Sequence, residues 1–242
     1  MRRTLVGPLL RRKHAGPGLR GAPLETTGLS DADRYVPAAS GNTHMRIRLA
    51  ATALAATLAF AASAHAAGLS GMGAAIYGNS FNFSKANLQS APVGTIKAGK
   101  LNVGLQTTRL ADVRKAFGGT IQSDGEATWL CYHAGDTNTW FISNPFGGPE
   151  FVMMVAVEVN SKMPADCEAS DSFTPPQFGV PTVGAKLAEL KAHFGAASGS
   201  KVAYRADRAG GYSDIAQYLG YQLKGGTVTG IGVGETSIPT AH

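Results

Sequence analysis

The stretch "GLQTTRLADVRKAFGG", residues 104–119, has the spacing of a short amphipathic helix. Leu110, Val113 and Phe117 fall at i, i+3 and i+7 on one stripe, with threonines ahead of it and glycines behind it. The phrase returns at residues 181–196 as "PTVGAKLAELKAHFGA". There Leu187, Leu190 and Phe194 keep the spacing, and Glu189 and Lys191 take the places of Asp112 and Arg114, so that every match from Leu110 to Leu187 onward lies at an offset of 77 residues.

The segments after each helix also correspond in kind. "ATWLCYH" (127–133) and "KVAYR" (201–205) come first, "TWFIS" (139–143) and "QYLGYQL" (217–223) second, "FVMMVAVEVN" (151–160) and "TVTGIGVGE" (227–235) third. Each reads as a strand, rich in β-branched and aromatic residues and bounded by Gly, Asn, Asp or Pro. A helix stripe must be buried, and short connections make strands pair antiparallel. The expected fold is therefore α+β: two tandem α-β-β-β units, residues 101–160 and 181–242, each a helix packed on its own small antiparallel sheet. Residues 161–180, proline-rich and acidic, form the linker. In the third strand of the first unit, Phe151, Met153, Val155, Val157 and Val159 should face the helix, because alternate side chains share a face.

Ahead of the first unit the chain changes character. Met45 is followed by Arg46 and Arg48, an apolar run over residues 49–62, and Ala64-His65-Ala66. That is the order of a secretory signal peptide over residues 45–66, cut after Ala66. The run is shorter than the about 20 apolar residues a membrane helix needs. No stable membrane span is expected after cleavage, and no cysteine lies near the cut to carry a lipid. Residues 1–44 have no apolar period and are expected to be a disordered extension, or a stretch ahead of the true start at Met45. Residues 67–100, dense in Gly, Ser and Asn, read as a flexible arm with a short strand near Ile96.

Charge excludes one class of function. Of the 22 Lys and Arg and the 16 Asp and Glu, nine and three precede residue 67, leaving 13 of each in residues 67–242. A neutral mature chain lacks the electrostatic footprint of a nucleic-acid binder.

Two cysteines in an exported chain read as a disulfide, Cys131 to Cys167. Cys131 and His133 share a strand face and could instead form a thiol–imidazole pair or two metal ligands, but a metal needs three or four ligands and the remaining histidines of the mature region, His193 and His242, lie far away in sequence. No catalytic motif is present, so no catalytic residue, metal or cofactor is assigned. Partner contacts have better candidates. Gly230, Gly232 and Gly234 leave one face of their strand bare, which suits either tight internal packing or a docking surface. Trp129 and His133 lie on one face of their strand; whether that face is core or surface decides whether Trp129 is an interface anchor. Trp140 is undecided in the same way.

The glycine, the threonine-led helix "LADVRKAFG" and the three strands after it resemble the small lipoprotein of the outer-membrane β-barrel assembly machinery. Two such units in tandem resemble the secreted β-lactamase inhibitory proteins. The resemblance implies an envelope protein that works by contact with other proteins. The expectation is a periplasmic or secreted binding or inhibitory module whose partner is another envelope protein. The alternative is a small-molecule or metal-binding protein, or a hydrolase without a recognised motif, using the cleft between the two units.

Overall fold

A computed structural model describes residues 68–78, 80–145, 148, 150–210 and 213–239, all within the unit formed by residues 59–242. In chain order the elements are helix α1 (Gly71–Tyr77), strands β1 (Ile96–Ala98) and β2 (Leu101–Val103), helix α2 (Leu110–Phe117), strands β3 (Gln122–Ser123), β4 (Thr128–Ala134), β5 (Thr137–Ser143), β6 (Met154–Val159) and β7 (Glu168–Ala169), helix α3 (Leu187–Phe194), and strands β8 (Lys201–Arg208), β9 (Ser213–Lys224) and β10 (Thr227–Pro239). The expected signal peptide, its cleavage after Ala66 and the extension over residues 1–44 lie outside the described residues. Among the described residues no helix is long and apolar enough to cross a membrane.

Helices α2 and α3 begin and end by the same local chemistry. The amide of Arg109 donates to the Asp112 carboxylate at 3.1 Å and that of Lys186 to Glu189 at 2.8 Å, each satisfying an amide at the helix start. Gly118 and Gly195 close them at φ 76° and 87°, backbone angles that favour glycine. Leu110, Val113 and Leu190 are buried, as the apolar stripes require.

The assembly corrects the expectation of two α-β-β-β units with separate small sheets. There is one eight-stranded sheet, mostly antiparallel, in the order β3-β4-β5-β6-β10-β9-β8, with β7 beside β4. The two meanders fuse where β10 runs antiparallel to β6, from Gly230 opposite Glu158 to Gly234 opposite Met154. Alternation along a strand tells which face is buried; it carries no information about which strand lies alongside. Pairing the last strand of each meander removes two edges that separate sheets would have left open.

Both faces of this sheet are covered. On one, α2, α3 and the β1–β2 hairpin bury Leu130, Phe141, Val155, Val157, Tyr221, Ile231 and Val233. On the other, α1 and the segment after it bury Trp129, Trp140, Ile142, Met154 and Ala156. Residues 69–83, within the stretch expected to be a flexible arm, thus supply the second layer, while β1 lies where a short strand was expected near Ile96 and packs on the first face. The alternation expected in the third strand holds for Val155 and Val157 but breaks before them, since Met153 and Met154 both join the α1 side while Val152 joins the other. The cause is local: the Val152 amide bonds Thr108 and Arg109 bridges Phe151, which pulls the chain out of the sheet ahead of β6.

The outer sides of the sheet are occupied as well. Beyond β4 lie β3, antiparallel at Gln122–Trp129, and β7, parallel at Tyr132–Glu168. Beyond β8 lies Asn87. Its side-chain amide donates to the Ala203 carbonyl at 3.1 Å and accepts from the Arg205 amide at 2.9 Å, while the amides of Asn87 and Leu88 both donate to the Arg205 carbonyl.

Candidate functional site

The residues singled out in the sequence, His133 excepted, are brought together, but into the second core layer. Cys131 and Cys167 are joined in a disulfide. Trp129 is fully buried on the α1 side, and its indole N–H has no hydrogen-bond partner. Trp140 is fully buried too, with Nε1 donating to Asp166 Oδ2 at 2.9 Å. His133 is half-buried, with Nδ1 2.6 Å from Asn138 Oδ1. A Cβ at Gly230 would meet Met72 Sδ at 3.1 Å, and one at Gly232 would meet Ile76 Cβ at 3.0 Å. Gly234 lies against Tyr218 and Met154 in the same way.

The disulfide is the expected one, whereas the placements of Trp129, Trp140 and the glycines are corrections to their reading as partner contacts. The bare glycine face is filled by the chain's own α1, so neither Trp129 nor the glycines stand on the surface. Helix α1 is fixed there by two carboxylates. Asp166, fully buried, accepts from the Ser70 amide at 3.2 Å and the Ser70 hydroxyl at 2.5 Å, and Glu158 accepts from the Met72 amide at 2.7 Å. The disulfide neighbours Asp166 in sequence and holds its loop against β4. Among the described residues no group of three or more His, Cys, Asp or Glu is arranged to hold a metal ion.

The unassigned polar chemistry lies at the far end of the α2/α3 face. There the odd-numbered residues of β10 run Ile231, Val233, Glu235, the odd residues of β9 run Leu219 and then Gln217, and the even residues of β8 run Tyr204, Ala206 and Arg208. Each row starts apolar and ends polar. Glu235, a largely buried carboxylate, accepts from Gln106 Nε2 at 2.9 Å on Oε1 and from Gln217 Nε2 at 3.3 Å on Oε2, and Oε2 also pairs with the Arg208 guanidinium at 3.7 Å. The Gln217 amide is used up on both sides, since it also accepts from the Val93 amide at 2.8 Å and donates to the Val93 carbonyl at 3.0 Å. A buried polar group is stable only when so satisfied.

Gln106 is the unusual member. Its φ of 61° makes it the only described residue other than glycine in the left-handed region. It is held there by its amide, which donates to the Val152 carbonyl at 2.8 Å, and by its side chain, which bonds Glu235 and accepts from the Ser237 hydroxyl at 2.6 Å. A non-glycine residue in that region costs about 1–2 kcal/mol.

Two hollows open on this cluster. One of about 180 Å³ lies between the 93–96 and 103–105 segments over Gln217 and Glu235; the other, about 370 Å³, lies between residues 89–91 and the ends of β8 and β9. Arg208 borders both, and its side chain is 59% exposed while that of Glu235 is 10% exposed. The floor thus presents one anchored cation to solvent, its other neighbours having spent their hydrogen bonds on each other. The sequence carries a signal of this cluster: Glu235 follows Ile231 and Val233 in phase, so a charge falls on a core-facing position. The mainly antiparallel sheet with helices on both faces is what the structure defines as the class of this chain. No known protein family, curated protein or solved structure matches it.

Proposed function

We propose that this chain is an exported binding module, periplasmic or secreted, that engages another envelope protein through the cleft floored by Arg208, Gln217 and Glu235 and carries out no reaction of its own. The observation that carries the reading is Gln106. Backbone strain is retained where a surrounding network over-determines it, and such residues cluster at ligand clamps; here the strained residue follows Leu105 on the wall of the smaller hollow and donates to Glu235 on its floor. Export is supported by the pattern over residues 45–66 and by the disulfide, which persists in oxidising compartments. The resemblance of the first helix and its strands to the assembly lipoprotein supports action by contact. A small-molecule ligand is the second reading, favoured by one fact: 370 Å³ falls within the about 300–1,000 Å³ of ligand pockets.

The test is comparative capture from envelope extract with the wild type, Arg208→Glu, and Lys115→Glu on the exposed side of α2. A stoichiometric protein retained by the first and third and lost by the second supports the proposal. Equal capture by all three, or none by any, refutes it. Native mass spectrometry of the purified chain separates the second reading, since a bound small molecule would register as added mass.

A further inference from the structure

We infer that the larger hollow takes the carboxylate of a peptide bearing a small aliphatic side chain, with Arg208 as its anchor. This rests on the cleft being a protein-binding site, and names the chemistry of what enters it. The anion follows from the distribution of hydrogen bonds. Glu235 Oε2 approaches one terminal nitrogen of the Arg208 guanidinium at 3.7 Å, and a guanidinium carries five N–H donors in a planar fork, so Arg208, which lines the hollow with a side chain 59% exposed, has donors to spare. A carboxylate matches that fork with two parallel hydrogen bonds.

The charge count selects a monoanion over a phosphate. Arg208 and Asp207 are the charged residues lining this hollow, and Asp207 is already paired with Arg205, whose Nε lies 2.6 Å from its Oδ1. A dianion would exceed the one cation left on these walls; a single carboxylate matches it. The aliphatic part follows from the walls. Ala91, Ala206 and Ile215 line the hollow beside Arg208, and its volume, about a dozen times the about 30 Å³ of a water, admits a terminal residue and little more. Ser90, on the same wall, adds an exposed hydroxyl within the hollow for the peptide backbone.

A carboxylate can come from a chain terminus or from an acidic side chain, and the probes separate these. The full mature chain, ¹⁵N-labelled, is titrated with N-acetyl-Ala-Ala-Val carrying a free carboxyl, with the same peptide amidated, and with the amidated peptide N-acetyl-Ala-Glu-Ala. Expected is saturable movement of the Arg208 Nε and of the Ala206 and Ile215 amides with the free-carboxyl peptide, and at least tenfold weaker binding to the amidated one. Stronger binding of the glutamate peptide would assign the carboxylate to a side chain and overturn the terminal form. Arg208→Gln should weaken the preferred peptide at least tenfold and Arg208→Lys by less, with amides of α2 unmoved in both as proof of folding. Equal binding of all three peptides, or no loss in Arg208→Gln, overturns the inference. Should a protein partner be captured through Arg208 while no peptide competes with it, this inference fails and the function stands. Should the peptide bind and no protein be captured, the function fails instead.

Discussion

Replacing Gly232 by alanine tests whether α1, rather than a foreign strand, owns the glycine face. In a strand this change ordinarily stabilises by about 0.5–1 kcal/mol, because glycine loses the most freedom on folding. Here the new Cβ would lie 3.0 Å from Ile76 Cβ, 3.1 Å from Ile76 Cγ1 and 3.1 Å from Met72 Cε, and two of those three atoms belong to a β-branched residue that cannot swing away. Overpacking of this kind costs about 1–3 kcal/mol. The net expectation is destabilisation by about 1–2 kcal/mol; if α1 lifts off instead, the ceiling is the lost burial of Met72 and Ile76, about 3–6 kcal/mol together. Urea unfolding gives the magnitude, and hydrogen exchange at Ala74 and Gly78, whose amides bond Ser70 and Ala74 within the helix, gives the place. Gly230→Ala should cost less, since it meets the flexible Met72 at Sδ and Cγ, and Met72→Ala should relieve it. A Gly232→Ala chain as stable as the wild type, with α1 amides equally protected, would refute the reasoning.

Three further outcomes are expected from the same geometry. Replacing both Cys131 and Cys167 by serine should cost about 4 kcal/mol, from the chain-entropy estimate for a 36-residue separation, read as a lower urea midpoint; an unchanged midpoint would mean that the disulfide adds nothing to stability. Asp166→Ala leaves the Ser70 donors and the buried Trp140 indole without their acceptor and should cost at least about 2 kcal/mol, with tryptophan emission reporting the loss, while Asp166→Asn keeps one acceptor and should cost less. Burial raises the phenols of Tyr132, Tyr204, Tyr218 and Tyr221 above their ordinary 10.0, and each donates to an oxygen of the chain. A proton held more tightly when folded contributes stability that is complete below the unfolded value and lost above it, so unfolding midpoints should hold from about pH 8 to about pH 10 and then fall. A flat profile above about pH 10 would contradict this.

The elements themselves were legible. Helices α2 and α3 span the Leu110–Phe117 and Leu187–Phe194 stripes, and β4, β5, β6, β8, β9 and β10 lie on the six quoted segments, because caps, terminal glycines and alternating residues act locally. The layer beneath them was not. A strand such as β4 with Trp129 and Cys131 on one face and Leu130 and Tyr132 on the other is apolar on both, and only the long-range return of Met72 and Ile76 shows that both are covered. Helix α1 has no polar stripe to betray it: "GMGAAIY" carries no charge, and its Met72 and Ile76 fill the space over Gly230 and Gly232. The candidate site escaped notice for a related reason, since Gln106, Arg208, Gln217 and Glu235 are spread over 130 residues and meet only when β8, β9 and β10 align in register.

Asn87 has a consequence for the lifetime of the molecule in a crowded compartment. Its carboxamide imitates a peptide group against the border of β8, and so long as it does, the Ala203 carbonyl and the Arg205 amide are closed to a neighbouring copy. Loss of ammonia from that one side chain would place a carboxylate oxygen opposite the Ala203 carbonyl, repelling where it now donates. Chemical ageing at a single atom would then loosen the cover of that border at Ala203, with the backbone amides of Asn87 and Leu88 still on the Arg205 carbonyl and no change in the core.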